Sequence, residues 1–136
     1  GGNLFGVCTV GGANDVGTVY KLTHNGATWT ESVLYSFKGG TDGASPISSL
    51  VADASGNFYG TTSDGGAAAC SCGVIFKITR GSSGKWSESV VYRFPGKPSP
   101  GFAYNGIVGD AAATTFYGAT VHGGSDNDGA IYQFTP

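Results

Sequence analysis

The chain has 136 residues and a formal net charge of −2, with 40% hydrophobic residues, only 12% charged ones and 25 Gly. This is the length of one domain, with enough apolar material for a core and too few charges for helical surfaces. No cluster of Lys or Arg is present to neutralise phosphates, which argues against nucleic-acid binding, and no apolar run approaches the roughly 18 residues of a membrane span.

Read in chain order, the sequence repeats itself. GNLFGVCTVGG (2–12) is followed by VGTVYKLT (16–23) and WTESVLYSF (29–37). SSLVADASGN (48–57) then leads into GNFYGTTSDGG (56–66), CGVIFKIT (72–79) and WSESVVYRF (86–94). NGIVGDAAAT (105–114) leads into TTFYGATVHGG (114–124) and DGAIYQFT (128–135). The runs are short, β-branched and aromatic, and Gly, Asn, Asp and Ser punctuate them, as strands joined by turns require. DASGN (53–57) reads as a hairpin turn. In SVVYRF, alternation predicts Val90, Tyr92 and Phe94 on one side and Ser89, Val91 and Arg93 on the other.

The expected fold is all-β, with β-propeller-type blades of four antiparallel strands and about two and a half to three blades in one domain over 1–136. Blade 1 (2–37) lacks its inner strand, blade 2 (46–94) is complete, and blade 3 (104–136) lacks its outer strand. The strand order resembles that of NHL-type blades. Residues LYSFKGGTDGASPISSLVADASGNFYGTTSDGG and CGVIFKIT resemble the GloVer-type tandem repeat. The resemblance covers nearly the whole chain. It departs where PGKPSPGFAYNG replaces the DG-x-x-P loop and where DAAATT replaces D-x-x-G-N. It implies bacterial extracellular or cell-surface proteins with varied anchors, and it implies no activity. The chain opens on Gly and has no signal-peptide pattern, so a mature, trimmed or excised piece is expected. Rings usually need at least four blades. Either copies associate as a homo-oligomer or the piece belongs to a longer repeat chain.

Loops 38–45, 95–104, 11–17, 65–73 and 123–129 are expected on one face. The position before each Gly-Gly pair varies: Val10, Asp64, His122. Asp42, Asp64, Phe102, Tyr104 and His122 are the candidate ligand-binding residues, the aromatic pair offering an apolar platform for a sugar ring. The expected function is non-catalytic carbohydrate binding or surface adhesion, with a polysaccharide or glycan as partner. The alternative is a polysaccharide-degrading enzyme, a hydrolase or lyase, using Asp64 and His122; a further one is a structural spacer. Asp42 with Asp64, or Asp126 with Asp128, are the available carboxylate pairs. SDNDG (125–129) is a weak calcium candidate through Asp126 and Asp128; no other cofactor is expected. Glu31 and Glu88 are read as rim-strand surface residues, Trp29 and Trp86 as rim packing, and His24 as lacking a partner on the opposite face. Cys8 is read as a small buried strand residue. Cys70 and Cys72 either pair with each other or one finds a partner elsewhere, and they are too few for a zinc site.

Overall fold

The computed structural model describes residues 2–67, 69–96 and 99–136. It is all-β, with 49% strand, in three antiparallel sheets, none of them closed. The first sheet has the order β1 (Asn3–Cys8), β2 (Thr18–Asn25), β3 (Thr28–Ser36). A 3-10 turn over Gly40–Asp42 leads to the second sheet, in which β4 (Ala44–Pro46) and β5 (Val51–Ala52) both pair with β6 (Phe58–Asp64), followed outward by β7 (Val74–Arg80) and β8 (Trp86–Arg93). The third sheet is β9 (Ile107–Gly109), β10 (Phe116–Thr120) and β11 (Ala130–Phe134).

The repeated aromatic-Gly phrase has a steric cause. Gly6, Gly60 and Gly118 stand directly opposite Tyr20, Phe76 and Tyr132 on the next strand. A Cβ on Gly60 would meet the Phe76 ring at 2.6 Å, so each glycine is the floor on which a cross-strand aromatic lies. The Gly-Gly pairs have a different cause. Gly65 and Gly66 adopt φ of 78° and 89°, a region open to glycine. They start a loop that closes when the Gly73 amide donates to the Gly65 carbonyl at 2.9 Å; Gly17 to Gly11 and Gly129 to Gly123 repeat that bond.

The hairpin at DASGN forms as expected. Asp53 Oδ1 accepts from the amides of Ser55 and Asn57, both at 2.9 Å, and Oδ2 from Asn57 Nδ2 and the Tyr59 hydroxyl. Burial raises the Asp53 pKa, but these hydrogen bonds outweigh it and hold the carboxyl below its usual range.

The sheets stack face to face. Phe5 meets Phe58 at 4.3 Å between the first two, and Tyr59 meets Phe116 at 4.7 Å between the last two. Val19, Phe37, Val74, Phe76 and Ile78 form one buried cluster; Ile75, Phe94 and Ala103 with Cys72 form a second, and Tyr59, Ile107 and Phe116 a third. Each large side chain fully buried in this way stabilises by about 1.5–3 kcal/mol.

The inner side of β6 is paired by two short strands, β4 and β5. Between them the Ser48 hydroxyl accepts the Thr61 amide at 2.9 Å, where a continuous strand would offer a carbonyl. The alternation in SVVYRF fails because a bulge shifts the register between Ile75 and Phe76, leaving Val91 extra. Val90 therefore packs with Phe37 and Phe76, while Phe94 shares its cluster with Val91. Cys8 is exposed, not buried. Its repeat-mate Thr62 is covered by Pro46 of β4, and no strand of the described residues covers Cys8 in that way. His24 has a partner: its ring packs tilted against Trp29, with centroids 4.7 Å apart. Trp86 packs on Phe5 and Phe58, whereas Trp29 is 50% exposed.

Candidate functional site

The two cysteines 70 and 72 form a disulfide with each other. It lies against Gly96 and Gly101: a Cβ on Gly96 would meet Cys72 Sγ at 2.7 Å and Cys70 Sγ at 2.8 Å. This fixes the start of the loop that carries Phe102. The Phe102 amide donates to the Cys72 carbonyl at 2.9 Å, and its carbonyl accepts from Tyr104 at 3.0 Å and Val121 at 3.1 Å. Gly101 and His122 form an antiparallel bridge with hydrogen bonds of 3.2 and 3.3 Å.

With both main-chain groups tied, Phe102 is held at φ 59°. That left-handed conformation disfavours a bulky L residue by roughly 1–2 kcal/mol. Ser45, its repeat-mate, has the same twist at φ 54° without an aromatic ring. The Phe102 ring lies parallel to Tyr104, with centroids 6.2 Å apart and planes 8° apart. His122 meets Phe102 edge-on at 5.4 Å. Three of the five candidate residues thus form one group. Tyr104 is 49% exposed, and His122 Nδ1 is buried with no hydrogen-bond partner. Tyr104 and Asn105 also line a cleft of about 410 Å³ together with Ile47, Ser48 and Ser49.

Asp64 stands apart from this group. It ends β6, pairs with Ala44 in the ladder, and accepts the Ser63 hydroxyl at 2.7 Å. Among the described residues no hydrogen bond joins Asp64 to His122. The Asp126 and Asp128 side chains are exposed; Asp126 accepts from the Ser125 hydroxyl at 2.9 Å. Among the described residues no three His, Cys, Asp or Glu side chains gather around one point.

Asp42 belongs to a different cluster, at the joint between the first two sheets. The Tyr35 hydroxyl reaches both of its oxygens, at 2.8 and 3.0 Å, and the Lys38 amide donates to Oδ2 at 2.8 Å. Glu88 reaches in beside it from β8. Arg93 Nε donates to the Thr41 carbonyl at 3.3 Å beside them. Glu88 is therefore not a rim-surface residue. One of its oxygens is buried with no donor. Burial first, and Asp42 second, push its pKa up to about 8, against the pull of Lys38 and Arg93. Two carboxyls in contact can hydrogen-bond only by sharing a proton. Burial and Asp42 also push the Tyr35 pKa up. With Tyr35 of β3, the pair forms a clasp at the joint between the first two sheets.

No signal in the sequence separates Glu88 from its repeat-mate Glu31. Both occupy the second place of an S/T-E-S triplet, and Glu31 is exposed. The difference is that β8 packs against β3 and the 38–42 loop.

In comparison with known proteins, residues 1–136 match the family described as the Gloeobacter/Verrucomicrobia repeat. No match was found among curated proteins or among solved structures.

Proposed function

Because the chain belongs to the Gloeobacter/Verrucomicrobia repeat family, we propose that its sheets are successive propeller-type blades of a repeat array that binds carbohydrate outside the cell without catalysis. The observation that carries the binding reading is the Tyr104–Phe102–His122 group. A sugar offers an apolar C–H face and a rim of hydroxyls. Recognition needs an aromatic plane and fixed polar groups beside it. Tyr104 supplies an accessible ring and Asn105 an exposed amide in the adjoining cleft, and His122 braces the Phe102 ring edge-on. Residues held in sparsely populated backbone regions cluster at ligand sites, and Phe102 at φ 59° is such a residue.

The equivalent contacts Phe5–Phe58 and Tyr59–Phe116 support the blade reading, since each sheet presents the same position to the next. The outer faces of the stack expose Leu4 and Val33 at one end and Val108, Tyr117 and Ile131 at the other. Such faces suit a second copy of the chain or a further repeat. The Cys70–Cys72 disulfide suits an oxidising compartment.

The test is binding of the purified chain to a panel of soluble and insoluble polysaccharides, with released sugar ends assayed in the same samples. Saturable binding lost in Tyr104→Ala and His122→Ala, with no released ends, is the expected result. Turnover, or binding that survives both substitutions, overturns the reading.

A further inference from the structure

The outer strand always pairs with the same kind of run. β3 lies antiparallel to β2 and β8 to β7, each with one extra residue at the same place, between Val19 and Tyr20 and between Ile75 and Phe76. The third copy of that run is β11, and among the described residues nothing pairs with its outer side. Its outer edge is open. Unpaired edges in folded proteins usually carry a blocking charge. β2 and β7 carry Lys21 and Lys77, and β11 has Gln133 at that position.

Beside this edge lies a groove of about 180 Å³, lined by Ile75, Tyr92, Phe94, Pro100, Tyr132 and Phe134. Five of these are the repeat-mates of Val19, Tyr35, Phe37, Phe76 and Ile78. Between the first two sheets those residues form a filled cluster, and what packs against them from the outer strand is Trp86 and Val90 of β8. The groove is that same cluster without its outer strand. The Tyr132 hydroxyl is buried there without a partner.

We infer that the groove beside β11 seats an added β-strand of the β8 pattern, antiparallel to β11, supplied by a further repeat of this kind. Copying the β7–β8 register places its Arg93-like residue opposite Ala130, its Tyr92-like residue opposite Ile131 and its Val90-like residue opposite Tyr132. The added strand closes the open ladder edge, and its inward Val and Trp fill the groove. This is strand addition, in which main-chain hydrogen bonds supply affinity and alternate side chains supply register. It does not depend on the glycan reading.

The test appends the segment GSSGKWSESVVYRF, the sequence of residues 81–94, after Pro136. The tether raises the effective concentration of the strand. The control carries the same residues in scrambled order, so the native part of both chains is unchanged. Amide hydrogen exchange across Ala130–Phe134 is expected to slow by about tenfold or more relative to the control, with β1 unaffected. A second variant, with Pro in place of the Ser89-like residue opposite Gln133, removes one ladder donor and is expected to lose that protection. Equal exchange in the patterned and scrambled chains overturns the inference. So does protection that survives the Pro change, or that appears at β1 instead of β11.

Discussion

Replacing Glu88 by Gln keeps the shape of the clasp and removes its titrating proton. In the folded chain the Glu88 pKa rises from 4.5 to about 8, first through burial and then through Asp42. Between those values the folded state holds a proton that the unfolded state releases. The stabilisation is fully present below about pH 4.5 and is lost as pH rises through about 8. At about 1.4 kcal/mol per unit, the whole span gives an upper bound of roughly 5 kcal/mol. Glu88 keeps part of its surface in solvent, and screening reduces the expected effect to about 1–2 kcal/mol. Gln donates an amide hydrogen to Asp42 at every pH and therefore imitates the protonated acid. Urea denaturation at a series of pH values from about 5 to about 9 reads this directly. The native chain is expected to lose about 1–2 kcal/mol over that range, while Glu88→Gln stays flatter and is the more stable of the two at the alkaline end. Equal pH slopes in the two chains would refute the shared proton, as would a native chain that gains stability toward alkaline pH.

Other outcomes test the packing and the platform. Gly60→Ala should cost about 1–3 kcal/mol by overpacking, because its new Cβ would stand 2.6 Å from the fully buried Phe76 ring. Gly2→Ala, with nothing within 4 Å, is the neutral control in the same denaturation assay. Tyr104→Ala should change stability by no more than about 0.5 kcal/mol, as exposed positions do, while lowering glycan affinity by about tenfold or more. Loss of affinity together with a large loss of stability would assign Tyr104 a packing role instead. The Cys70–Cys72 disulfide closes only a short loop, so reducing it should lower global stability by roughly 1.5–2 kcal/mol on the chain-entropy account. Exchange at the Phe102 amide, which is held by the Cys72 carbonyl, should accelerate more than exchange in β6.

The sequence by itself determined the local grammar of this protein. A glycine opposite an aromatic, a Gly-Gly pair with positive φ and an Asp at the head of a hairpin are requirements between near neighbours along the chain. Their repetition announced the strands and turns around Gly60, Gly65 and Asp53. Tertiary structure decided everything that depends on what arrives from the next sheet. Glu31 and Glu88 sit in nearly identical triplets, yet only Glu88 has a neighbouring sheet and Asp42 over it. Cys8 and Thr62 hold the same strand position, yet only Thr62 is paired by β4 in a ladder. The bulge at Val91 reversed the sides that simple alternation predicts for Phe94. Phe102, Tyr104 and His122 were legible as candidates from their loop, but the backbone bonds from Cys72 and Val121 gather them. Burial, pKa and ring stacking are set by atoms brought together across the fold, and a one-dimensional pattern carries no record of those distances.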